Sequence, residues 1–221
     1  MNTFSNIQSE PGWSTVTGPS IGPAIPQIKT SQVTDGFCTA LLVDVTGVSG
    51  KYADGMVRSA AAPLPANFTQ VTTRFVFAVS AGHAASSQAD EFGLMFTNGE
   101  GDKLYHVIQF DNSTSPTQAM LDVTGPTYEW ASTGATVAKF APGVLHVLDI
   151  VGAYDAAGKK TAIFDVVLNG VQIYAPGVPL WVPAQALKWG PDIWFVEHQP
   201  DMNPKGGNHQ IKIYSIGVTF S

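Results

Sequence analysis

Residues 144–173, VLHVLDIVGAYDAAGKKTAIFDVVLNGVQI, restrict the fold of this chain more than any other segment. An apolar run reaches Tyr154-Asp155, crosses a polar turn over 156–160, and returns as an alternating strand with Phe164, Val166 and Leu168 on one face. It closes on Asn169-Gly170, a pair that supplies the positive φ values of a tight reversal. Two such runs joined by turn chemistry predict a β-hairpin. The same period of two recurs elsewhere. Residues 74–79 place Phe75, Phe77 and Val79 together, and 104–110 align Leu104, His106, Ile108 and Phe110. At the end of the chain Tyr214, Ile216, Val218 and Phe220 share a side. Strands are therefore expected over 74–79, 104–110, 144–151, 162–168 and 211–220, with a further one over 192–197. Only 86–91 and 183–187 have the pattern of a single helical turn. Residues 175–191 and 198–209 read as loops. The expectation is an all-β, antiparallel sandwich.

Composition agrees with this and removes several functions. A length of 221 residues suits a single sandwich. Charged residues are 13%, while Gly (22) and Pro (15) are plentiful, as in a turn-dense β protein. Two arginines and nine lysines, with no basic run beyond Lys159-Lys160, give no face able to displace the counterions of a nucleic acid. No apolar run is long enough to span a membrane. The N-terminal sequence lacks the basic start and apolar stretch of a secretory signal. The low charge nonetheless leads us to expect an extracellular, surface or virion-associated protein. The single cysteine, Cys38, excludes an intrachain disulfide and reads as a small buried hydrophobe. The Pro/Gly-rich residues 1–26 read as an extended N-terminal arm on a domain over 27–221. Phe4, Trp13, Ile21 and Ile25 are too apolar for a solvated tail. Such an arm packs on the sandwich or on a second copy, which would make a homo-oligomer.

The middle third, RFVFAVSAG (74–82), ADEFGLMF (89–96) and YHVIQFDN (105–112), resembles legume-type lectins in order and content. With the 144–173 hairpin, it is similar to the concanavalin A-like lectin/glucanase superfamily, which also includes laminin-G-like modules. The resemblance covers about residues 70–220. It implies a jelly-roll sandwich and a glycan partner. It also implies that Asp90 is a sugar-binding acid, and that Asp111 with Asn112 ligates calcium. In this chain Glu91 stands where the family carries Gly, and the carboxylate after Asp111 is as far off as Asp122.

Other candidates follow from chemistry alone. Sugar rings stack on aromatic planes, so tryptophans at loop edges beside polar residues mark binding positions. Trp130 and Trp189 fit this description, and Trp194, inside a strand, reads as core. The segment between His198 and His209, with Asp201 between them, is a polar, glycine-bent candidate rim. Asn112 completes the set.

Enzymatic signals are weaker. The Glu-x-Asp-x-x-Glu run of jelly-roll hydrolases is absent, as are the Arg-x-Glu-Leu and Gln-Ile-His signatures of jelly-roll alginate lyases. No nucleophile motif occurs. Three functional readings remain: non-catalytic carbohydrate binding, which leads; a structural or attachment protein of a virion or surface assembly; and a glycan lyase or glycoside hydrolase with a degenerate signature.

Overall fold

The computed structural model describes residues 1–17, 27–36, 38–47, 55–98, 103–184, 192–203 and 206–221. Its first strands are β1 (Asn2–Phe4), β2 (Ser14–Thr17), β3 (Gln27–Asp35), β4 (Cys38–Gly47), β5 (Gly55–Arg58) and β6 (Ala62–Pro63). β7 (Gln70–Val79) leads through one helical turn, α1 (His83–Ser86), into β8 (Ser87–Thr97). β9 (Lys103–Asp111), β10 (Gln118–Thr124) and β11 (Trp130–Ala138) follow. The last third supplies β12 (His146–Asp155), β13 (Lys160–Leu168), β14 (Val171–Tyr174), β15 (Val182–Pro183), β16 (Ile193–Met202) and β17 (Gly207–Phe220).

These strands form two antiparallel sheets. The back sheet runs β14-β13-β12-β7-β17-β4-β3, with β1 added to β17 and β15 to β13. The front sheet runs β11-β10-β9-β8-β16-β5-β2, with β6 on β16. Consecutive strands such as β7 and β8, or β16 and β17, lie in opposite sheets, which makes the architecture a jelly-roll sandwich. Alternate side chains of the two inner faces meet in the middle. Phe92 of β8 lies 5.2 Å from Phe75 and 4.9 Å from Phe77 of β7, between ring centroids. His106 is buried in the same layer because Gly152 opposite has no side chain. A Cβ there would sit 2.0 Å from His106 Cε1 and 2.3 Å from the Ala162 carbonyl oxygen.

The expected hairpin is present: β12 and β13 pair, and the reversal to β14 uses Asn169 at φ 53° and Gly170 at φ 80°. The β12 strand begins at His146, so Val144 and Leu145 precede it and are exposed. Two expected faces are broken by bulges. Opposite Val151 and Gly152, β13 carries Asp165 and then Ile163, so Phe164 is skipped and Ile163 takes the core position. In β17 the register shifts between Ile213 and Ser215, which turns Tyr214 outward onto Asp35, 2.8 Å away, and buries Ile213 instead. The helical turn lies at His83–Ser86, one turn earlier than expected, and 87–91 is strand, paired with β16 on one side and with β9 on the other. Val182–Pro183 forms a short strand rather than a helical turn, and 185–187 lies outside the described residues. Cys38 is exposed at the start of β4, where its Sγ lies 3.4 Å from the Asp35 carbonyl oxygen.

The N-terminal arm is woven into both sheets. β1 pairs with β17 in the back sheet and β2 with β5 in the front sheet. Phe4 packs edge-on against Trp194 at 5.0 Å and Phe220 at 6.0 Å. Gln8 accepts the Ile216 backbone N–H at 2.9 Å, and the Trp13 indole donates to the Ile7 carbonyl at 3.1 Å. Phe4, Ile7 and Trp13 are thus used within the chain. Ile21 and Ile25 lie outside the described residues.

Candidate functional site

The outer face of the front sheet departs from what an exposed sheet should look like. Residues that alternate away from the core ought to meet solvent. Here Glu91 and Met95 of β8 and Phe195 and Glu197 of β16 are nearly as buried as the core itself, with Glu197 only 1% exposed. This face is a depression. Its cavity, of about 270 Å³, is lined by Met56, Glu91, Tyr105, Val107, Thr124, Tyr128, Trp130, Glu197 and Gln199.

Register explains the composition of that depression. Glu91 lies directly opposite Gln199 on β16 and Gln109 on β9, and Gln109 lies opposite Asp122 on β10, which faces Ser132 of β11. A polar row therefore crosses five strands. Glu91 Oε1 accepts from Gln109 Nε2 at 3.2 Å and from Gln199 Nε2 at 3.1 Å, and this fixes the carboxylate. The next row runs from Trp130 to Thr124, whose hydroxyl donates to the Val107 carbonyl, and on through Gly93 to Glu197 and Arg58. Gly93 is required because a Cβ there would lie 2.1 Å from the His106 carbonyl oxygen. Its bare backbone deepens the floor between Val107 and Glu197.

Aromatic side chains wall one flank. Trp130, at the start of β11, is 38% exposed. Tyr128 adopts φ 66° in the turn before it, and its hydroxyl donates to the Pro183 carbonyl in β15, which pairs with β13. Tyr105 meets Tyr128 edge-on at 5.6 Å.

The charges here are under tension. Burial pushes the Glu197 carboxyl up to about 7, against the pull of Arg58 and Lys103. Its Oε2 has no hydrogen-bond partner, nor has Oδ1 of Asp122. The Asp122 carboxyl is also raised, by burial and by the charge of Asp111. Burial, then Glu197 and Glu91, raise the Tyr105 phenol, and burial pushes Tyr128 up to about 12. The Arg58 guanidinium lies 5.2 Å over the Phe195 ring.

Of the residues singled out from sequence, Trp130 lies in this cavity and most others do not. Asp90 is the neighbour of Glu91 and so points to the other face, into the core. Its carboxylate meets His83 Nε2 at 2.9 Å and accepts from Ser87 Oγ at 3.2 Å and Asn112 Nδ2 at 3.0 Å. Burial alone would raise this carboxyl, but His83 beside it, and His198 and His209 beyond, hold it at about 2. His198 stacks on Phe92 with centroids 4.6 Å apart, and its Nδ1 donates to the Glu91 carbonyl at 2.9 Å. His209 Nδ1 lies 2.8 Å from the Ser86 hydroxyl, which donates to Gly82. These residues form a buried knot rather than a rim, because 198–202 belongs to β16 and 207–209 to β17.

Asp111 and Asn112 do not fit calcium. The Asp111 carboxylate accepts the Ser113 backbone N–H at 2.8 Å, an Asx turn, while the Asn112 side chain turns inward to Ser87 and Asp90. They diverge, and calcium needs six to eight converging oxygens. Among the described residues no group of three His, Cys, Asp or Glu is placed to hold a metal. Trp189 lies outside the described residues, and Trp194 is core, as expected. Sequence reasoning missed Glu91, Gln109, Asp122, Glu197 and Gln199. The available signal was their place at outward positions of otherwise apolar strands.

No protein-family model matches the sequence, and no curated protein matches it. Solved structures do. The Lotus tetragonolobus seed lectin superposes with a TM-score of 0.54 at 16% identity, over 100% of this chain and 98% of that one. The lectin I from Ulex europaeus, in complex with the methyl glycoside of α-L-fucose, gives 0.53 at 14% identity, over 100% and 98%. The Emp47p carbohydrate recognition domain gives 0.52 at 9% identity, over 99% and 95%. The fold is the concanavalin A-like jelly roll. Among the described residues no helix is long and apolar enough to cross a membrane.

Proposed function

We propose that this protein binds glycans, without turning them over, in the depression on the outer face of its front sheet. One observation carries the reading: Trp130, Tyr128 and Tyr105 wall a cavity whose floor is a row of fixed carboxylate and amide groups. An aromatic flank offers the apolar faces of a sugar ring a platform, and oriented acceptors take its hydroxyl protons. The sandwich shared with lectins is consistent with this and does not by itself assign the site. A glycan array followed by titration tests it. Trp130→Ala should weaken binding by roughly 1–3 kcal/mol with an unchanged melting temperature, since Trp130 is a partly exposed edge residue. Absence of any glycan binding would leave the structural or attachment reading in its place.

A specific observation favours a second reading. Glu197 pairs with Gly93, two positions from Glu91, so the two residues are diagonal neighbours on the same face of the sheet. Glycoside hydrolysis uses two carboxyl groups on one face of a cleft, and a carboxyl pushed up to about 7 suits the acid. Release of reducing ends from a bound oligosaccharide, abolished by Glu197→Gln, would replace binding with hydrolysis.

A further inference from the structure

The electrostatics of the depression select among glycans. Glu91 and Glu197 line it, and Asp122 stands in the same row as Glu91. Glu91 is already held by Gln109 and Gln199. Glu197 Oε2 and Asp122 Oδ1, in contrast, are buried acceptors with no donor. A native fold rarely leaves such groups unmatched, because each forfeits its hydration without recompense. The nearby cations do not neutralise them: the Arg58 guanidinium lies over Phe195, and among the described residues neither Arg58 nor Lys103 forms an ion pair with Glu197.

Three classes of sugar meet this surface differently. A uronate brings a negative charge and acceptors to a site that has carboxylates and unmatched acceptors. A neutral sugar offers single hydroxyl donors. A protonated amino group offers three donors, no acceptor and the opposite charge. Resting on the glycan-binding reading above, we propose that the ligand is a glycan carrying several free amino groups, a glucosamine-type oligosaccharide, with one ammonium at Glu197 and another, on a different sugar residue, at Asp122 three strands along the same face. Charge-assisted hydrogen bonds to those two oxygens complete their coordination, and the aromatic flank takes the ring.

The test compares three tetrasaccharides in calorimetric titrations at neutral pH, where the Glu197 carboxyl can give up its proton opposite an ammonium: β-1,4-linked glucosamine, its N-acetylated counterpart, and mannuronate. The glucosamine tetrasaccharide should bind about tenfold or more tighter than the acetylated one, with the preference shrinking as salt is raised. Mannuronate should not bind measurably. Glu197→Gln and Asp122→Asn preserve shape and remove charge, so each should shrink the preference for the glucosamine sugar over the acetylated one. Two variants keep the test open should either fail to fold. Equal or tighter binding of the acetylated or mannuronate sugar, or a preference that survives both substitutions, overturns this inference and leaves the glycan site standing. Binding of none of the three, with no other glycan bound on the array, overturns both.

Discussion

At Glu197 and in the histidine knot beneath it, the same burial acts on opposite kinds of charge, and stability should depend on pH in two separate windows. His198 and His209 are held neutral by burial, with values near 4 against the usual 6.5. Below 6.5 the unfolded chain takes up protons that the fold refuses until about 4. Their contribution is complete above 6.5 and lost as pH falls from there toward 4. Glu197 runs the other way. Its carboxyl titrates near 7 in the fold against 4.5 ordinarily, so the fold keeps a proton that the unfolded chain releases. That contribution is complete below 4.5 and lost as pH rises through 7. Glu197→Gln should therefore melt higher than the wild type at about pH 8 and no higher at about pH 4.5, whereas acid lability should persist in both proteins. Thermal melts across this range check it; a variant that melts lower at alkaline pH would mean that Glu197 is well solvated or paired.

The elements show how far period-two reasoning reaches. It located β7, β9, β12, β13 and β17 because each buries one face against the other sheet. It failed at Phe164 and Tyr214, where one extra residue in a strand flips the remainder to the other face. No local residue pattern marks either bulge, since the extra residue is defined only against its partner strand. Of the expected arm, residues 1–17 are described, and their partners are specific. Deleting residues 1–9 removes β1 with Phe4, buried Ile7, and the Gln8 acceptor of the Ile216 N–H. Ile7 contributes roughly 1.5–3 kcal/mol by burial, and half-buried Phe4 adds less. The truncated chain should melt markedly lower, with no change in oligomeric state, by calorimetry and sedimentation. An unchanged melting temperature would mean that β1 does not hold β17.

Across the whole molecule the sandwich could be read from sequence and the site mostly could not. Fold follows from alternation and turns, both local. The site follows from strand order, which brings Glu91 of β8 beside Gln199 and Glu197 of β16, more than 100 residues away in the chain. In Asp90-Glu91 the sequence offers two adjacent acids and no indication of which faces the core; the His83 pairing decides for Asp90. Trp130 was singled out because loop-edge tryptophans beside polar residues are few, and it lines the depression proposed as the site. The central claim is that the front-sheet depression takes the ligand. Methyl and indole NMR during titration with a bound oligosaccharide tests it most directly. The Trp130 indole and the methyls of Met56 and Val107 should shift together, while buried Trp194 stays still. Shifts confined to residues around the cleft of Ala85, Ser115 and Pro116, at the other polar depression, with Trp130 unmoved, would contradict it.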